Sequence, residues 1–160
     1  MYNIERYFLE DRMQLGIGIF LSAFTIGVAA CLFISKNALY KGMSFGIIPL
    51  ALILFSVCIF LFFRTPRDMK KAKIFYSEVP VKMKAYELPR MEKVLQNFDW
   101  IIKTEVCVIV FGIALFLIFA KNDLLKGIAI GITAEAAILF IFDAIETERA
   151  KIYFEFLKSL

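Results

Sequence analysis

Four stretches of the chain carry almost nothing but apolar side chains: residues 15–34, 43–63, 101–120 and 124–142. The first three hold no charge between their end residues except Lys103 and Glu105, in the opening turn of the third. Each is close to the roughly 20 residues that a helix needs to cross a hydrocarbon layer about 30 Å thick. Backbone amides in lipid must be satisfied within their own segment, so each run is expected to be a transmembrane helix. The first run is too long for the core of a signal peptide. No small-residue cleavage pattern follows it before Ser35, Lys36 and Asn37, so a retained helix is expected.

The pattern outside these runs is also helical. Pro66 suits the first turn of a new helix, with Met69, Ala72, Phe75, Tyr76 and Val79 along one face, and Pro80 is expected to end it. Pro89 is expected to open another. There Met91, Val94, Leu95, Phe98, Ile101 and Ile102 recur at helical spacing straight into the third run, with Trp100 at the interface. Beyond the fourth run, Ile145, Ile152, Tyr153, Phe156, Leu157 and Leu160 form an apolar stripe, opposed by Glu146, Glu148, Lys151, Glu155 and Lys158. A continuous helix to Leu160 would be about 57 Å long and would project roughly 25 Å past the hydrocarbon. Its stripe is expected to pack on the loop helices as a small cytoplasmic bundle.

An internal repeat organises these elements. Lys36, Asn37, Leu39, Lys41, Gly42 and Gly46 match Lys121, Asn122, Leu124, Lys126, Gly127 and Gly131 at a constant offset of 85, which also brings Gly27 onto Gly112 and Ala29 onto Ala114. Asn37 and Asn122 stand where N-caps of the returning helices belong. The motif Ala72-Lys73-Ile74-Phe75-Tyr76 resembles Ala150-Lys151-Ile152-Tyr153-Phe154 at an offset of 78, which extends the repeat past the membrane. The expected fold is all-α: a polytopic four-helix transmembrane bundle of two parallel-repeat helical hairpins with a small cytoplasmic helical extension. Residues 1–63 would be the first hairpin with an N-terminal amphipathic segment and 64–99 a basic helical linker. Residues 100–143 would be the second hairpin and 144–160 the tail.

Composition agrees with a bilayer as solvent. The 160 residues are 61% hydrophobic, with 18 Phe, and a small globule has too little interior to hide so much apolar surface. Charge gives the orientation. Of 19 basic residues, two precede residue 13, ten lie in residues 64–103, three lie in the tail and only four lie in the two short turns. The positive-inside rule puts both termini and the middle segment in the cytoplasm, and the chain in the cytoplasmic (inner) membrane. The basic segment, with Arg64, Arg67, Lys70, Lys71, Lys73, Lys82 and Lys84, suits anionic lipid. No nucleic-acid motif accompanies it. Cys31, Cys58 and Cys107 lack ligand spacing and are expected to be packing residues, with no metal and no disulfide framework.

Three features carry candidate chemistry. Glu135 lies about 18 Å inside the fourth helix, near the midplane, where a carboxyl is expensive and belongs against protein or water. The repeat offset sets it at the depth of position 50, beside Pro49, whose ring frees the carbonyl of Phe45. Glu135, Pro49 and Phe45 are therefore candidates for an ion pathway. A packing role is the plainer expectation, with a neutral Glu135 donating to that carbonyl or to Ser44, Ser56 or Thr25. Asp143, Glu146 and Glu148 cluster where the fourth helix leaves the membrane. Carboxylates hold hard cations, but a single cluster paired with Arg149 and Lys151 reads more simply as a solvated helix face. Gly42, Gly46, Gly127 and Gly131, with Gly27 in a ladder beside Ala23 and Cys31, let helix backbones approach closely.

There is no histidine, no phosphate-binding loop, no dinucleotide fingerprint and no nucleophile elbow. The expected function is non-catalytic and without a cofactor. The protein would act by homo-oligomerisation or by holding a membrane-protein partner, as in immunity, defence or scaffolding. The alternative is a small oligomeric ion or proton channel or transporter that uses Glu135.

Overall fold

Each apolar run falls almost wholly within one longer helix. The computed structural model describes the backbone of residues 4–78 and 80–159, and the side chains of residues 6–72, 74 and 85–159. The described residues are all-helical: α1 (Ile4–Ile34), α2 (Ala38–Glu78), α3 (Pro80–Ile118) and α4 (Asp123–Ser159). All four are long and apolar enough to cross a membrane. Only 11% of the most apolar stretch of α3 is buried within the chain, and no more than 28% of any other. Such faces need lipid as their solvent, and the protein is a multi-pass membrane protein.

The short connections are fixed by their asparagines. Asn37 Oδ1 accepts the Leu39 backbone N–H at 2.9 Å, and Asn122 Oδ1 accepts those of Leu124 and Leu125 at 3.1 and 3.2 Å. Each side chain thereby satisfies donors that a helix start leaves orphaned.

α1 packs along α2, α2 along α4 and α4 along α3, while the backbones of α1 and α3 stay apart among the described residues and share only side-chain packing around Phe8 and Met91. The glycines explain how the central pair closes. A Cβ added at Gly42 would fall on the carbonyl of Leu124, and one at Gly127 on the carbonyl of Leu39. Gly46 and Gly131 lie equally tight against Ile128 and Met43. Three apolar clusters run along the molecule. Ala29, Ile47 and Ala51 form one; Leu15, Leu54, Cys58 and Phe142 form the next. Phe8, Ala72, Met91, Ala150, Tyr153 and Leu157 gather beyond the apolar runs.

Several expected boundaries are corrected. Pro66 and Pro89 lie inside α2 and α3, and Pro80 begins α3 instead of ending a helix. A proline costs a helix one hydrogen bond and up to about 3 kcal/mol. Here burial of Thr65, Ala72 and Met91 on the inner face keeps each helix running through. Val79 lies outside the described residues, as do Leu160 and the side chains of Phe75 and Tyr76. The apolar stripe of α4 is narrower than expected. Tyr153 and Leu157 are fully buried, whereas Ile145 and Ile152 are half exposed. Its partner includes the start of α1, where Tyr7 stacks on Tyr153 with ring centroids 4.0 Å apart.

Candidate functional site

The apolar middle of the molecule contains one deeply buried carboxyl. Glu135 is 1% exposed, and its Oε1 accepts a hydrogen bond from the Thr25 hydroxyl of α1 at 3.1 Å. Residues 18, 22, 25 and 29 of α1 turn inward because they recur at helical spacing and are small or polar enough for a close approach. Gly18 leaves room for Cys58 and Phe142, and Ser22 satisfies itself on the Gly18 carbonyl at 2.8 Å. The Thr25 hydroxyl also faces the Ser22 carbonyl at 3.1 Å. One hydroxyl proton cannot fully serve two acceptors. A proton on Glu135 would complete the set, with Glu135 donating to Thr25 and Thr25 donating to Ser22.

Of the partners considered for Glu135, the geometry selects Thr25. Ser44 donates to the Lys41 carbonyl and Ser56 to the Leu52 carbonyl. Phe45 and Pro49 turn to the exposed face of α2, where Phe45 meets Phe33 edge-on with centroids 5.7 Å apart. The ion-pathway trio is therefore not assembled. Glu135 faces α1, and Phe45 and Pro49 face away, because positions 45 and 49 lie on the opposite side of α2 from its buried stripe at Ile47, Ala51, Leu54 and Cys58.

A second group of carboxyls lies at the other end of the apolar runs. Glu105 of α3 and Asp143 of α4 face each other closely enough for their carboxyls to interact. Two such carboxyl groups can hydrogen-bond to each other only with a proton on one of them. Glu105 is 8% exposed, and its Oε2 has no hydrogen-bond partner among the described residues. Glu146 points inward, with Oε1 only 3.8 Å from Arg149 Nη1. Arg149 in turn donates to the Glu10 carbonyl at 2.9 Å, and Thr65 donates to Asp11 at 2.9 Å. Three helices are tied together there by polar contacts.

The acidic cluster expected on α4 thus divides. Asp143 turns to α3, Glu146 turns to the interior, and Glu148 is exposed and paired with Lys151 at 2.7 Å. No group of three or more metal-ligating side chains forms among the described residues. Residues five apart on a helix point in different directions, so Glu148 lies away from Asp143, whereas Glu146, three residues on, stays within electrostatic reach of it.

The glycine positions separate as well. Gly42, Gly46, Gly127 and Gly131 are consumed in the contact between α2 and α4, and Gly112 meets Thr133 on α4. Gly27 differs, since a Cβ there would find nothing within 4 Å. It is exposed together with Ala23, Ala30 and Cys31 on the outer face of α1.

Sequence reasoning did not find the carboxyl pair Glu105–Asp143, the role of Gly18 or the ties made by Asp11 and Arg149. Glu105 alone carried a signal, as a carboxyl inside an apolar run. Comparison with protein-family models, curated proteins and solved structures finds no match for this chain.

Proposed function

We propose that this is a non-catalytic protein of the cytoplasmic membrane, with both termini on the cytoplasmic side, and that it acts by associating with a second copy of itself through the outer face of α1. In this reading the chain is already a fused pair of helical hairpins. The contact between α2 and α4 supports the repeat, because it is reciprocal at the offset of 85. Gly42 meets Leu124 while Gly127 meets Leu39, and Gly42 meets Ile128 while Gly127 meets Met43. Such reciprocity is the mark of a two-fold contact, and its axis would stand along the membrane normal.

The observation that carries association is the unfilled ladder on α1. The other small-residue ladders are occupied within the chain, whereas Ala23, Gly27 and Cys31 lie four apart with nothing against Gly27. Small residues at this spacing let a second helix come close enough for dispersion contacts to drive association in lipid. The subunit count by native mass spectrometry in mild detergent tests it. Wild type should be dimeric and Gly27→Leu monomeric. A wild-type monomer under conditions that preserve membrane oligomers would overturn the reading.

A proton pathway is favoured as the second reading by two observations, each a place where a shared proton completes the bonding. These are Glu135 with Thr25 and Glu105 with Asp143. Proton flux into liposomes is the test, and a flux left unchanged by Glu135→Gln would remove that residue from the pathway.

A further inference from the structure

On α2, the outer face from residue 56 to residue 71 changes character along its length. Ile59, Phe60 and Phe63 lie inside the apolar run, and Arg64, Arg67 and Lys71 follow within the next two turns. Together with Ser56 and the single carboxylate Asp68, they line a concave groove of about 620 Å³, open to the outside of the bundle. One end of it is hydrocarbon-like and the other is cationic, at the level where span 43–63 gives way to charged sequence.

The cations are not equivalent. Arg64 Nε is held by Asp68 at 3.0 Å. Arg67 and Lys71 are exposed and make no ion pair among the described residues. They stand four apart on one helix face, with Cβ atoms about 5–6 Å from each other, a spacing at which like charges repel and destabilise a helix. Elsewhere on the molecule, cations at this spacing face carboxylates, as in Lys103–Asp99 and Arg6–Glu10. An anion between Arg67 and Lys71 would turn the repulsion into two charge-assisted hydrogen bonds.

We infer that this groove is a binding site for one anionic phospholipid, with the phosphate between Arg67 and Lys71 and an acyl chain along Phe63, Phe60 and Ile59. The apolar half decides the source of the phosphate. A free phosphate would use only the cationic end, whereas a membrane lipid fills both ends and is supplied at this depth by the bilayer itself. Basic residues near a membrane surface contribute about 1 kcal/mol each towards anionic lipid, so two converging on one phosphate give a measurable preference. The site rests on the membrane-spanning reading and is independent of association through α1.

Lipid titration of the purified chain, followed by native mass spectrometry, tests it with phosphatidylglycerol and phosphatidylcholine as probes. Wild type should retain one phosphatidylglycerol per chain in preference to phosphatidylcholine. Arg67→Gln/Lys71→Gln should weaken phosphatidylglycerol about thirtyfold and leave phosphatidylcholine unchanged. Lys151→Gln/Lys158→Gln removes the same number of charges from paired cations on α4 and should retain phosphatidylglycerol. Equal loss in both double variants would show diffuse attraction and overturn the site, as would equal binding of the two lipids. Competition by soluble glycerol phosphate as strong as by the lipid would overturn the acyl half. Helical circular dichroism retained in every variant separates these outcomes from loss of the fold.

Discussion

At the scale of single residues, the interior asks for hydrogen-bond partners more than for charge. Thr25 donates to Glu135, and an amide oxygen accepts as well as a carboxyl oxygen. Glu135→Gln should therefore leave stability within about 1 kcal/mol of wild type, while Thr25→Val should cost roughly 0.6 kcal/mol, the average for an interhelical bond in a membrane. Unfolding in mixed micelles measures both, and an unfolded Glu135→Gln would contradict the pairing. Glu105 and Asp143 make a sharper case, because a bond between the two carboxyls would need a shared proton. Asp143→Asn supplies an N–H donor in place of that proton, so at neutral pH it should raise the thermal midpoint, by about 1 kcal/mol in stability. Asp143→Ala leaves Glu105 without its partner and should lower it. The sequence displayed Glu135 as a carboxyl out of place, and Thr25 was one of four partners it allowed. Which hydroxyl serves depends on how α1 rotates against α4, and no single-helix periodicity encodes that. The pair Glu105–Asp143 was illegible for the same reason, since it joins two different helices.

At the scale of elements, length and hydropathy made the four spans legible because lipid leaves a backbone no other choice. The Asn caps were equally legible, since the two turns offer few other side chains able to accept at a helix start. The ends of the helices on the other side were not. Pro66 and Pro89 looked like beginnings, but a proline weighs only a few kcal/mol against the packing of a 41-residue helix. Pro66→Ala should accordingly stabilise the protein, by about 1–3 kcal/mol in an unfolding titration, by restoring the missing bond of α2. A destabilised Pro66→Ala would mean that the ring marks a true helix start. The glycines separate fold from assembly. Gly127→Leu drives a side chain into the backbone of α2 and should cost more than about 3 kcal/mol, disrupting the contact between α2 and α4. Gly27→Leu meets nothing inside the chain, so its unfolding curve should match wild type while its association is lost. If both variants lose stability alike, Gly27 is packed in a way that a single chain does not contain.

At the scale of the whole molecule, the row α1–α2–α4–α3 leaves its two end helices with broad faces towards lipid. Exposed apolar surface is normal in a bilayer and selects no partner. What distinguishes α1 from α3 is spacing: α1 exposes Ala23, Gly27 and Cys31 four apart, beside the larger Phe20 and Phe24, whereas the small exposed Cys107 and Ala114 of α3 stand seven apart with Val110 and Phe111 between them. A second copy laid on α1 would bring two ladders together about a two-fold axis, and residues on that axis would approach their own counterparts. Cys31 lies on this face, exposed and free, so the protein carries its own cross-linking probe. Mild oxidation of native membranes should give a disulfide-linked dimer that survives Cys107→Ser, disappears in Cys31→Ser and is strongly reduced in Gly27→Leu. The control residue is well placed, since Cys107 is exposed on α3 and would report a dimer built on the other end of the row. Cross-linking through Cys107 but not Cys31 would move the interface to α3. No cross-linking through either cysteine, together with a monomeric mass, would leave the ladder on α1 facing only lipid.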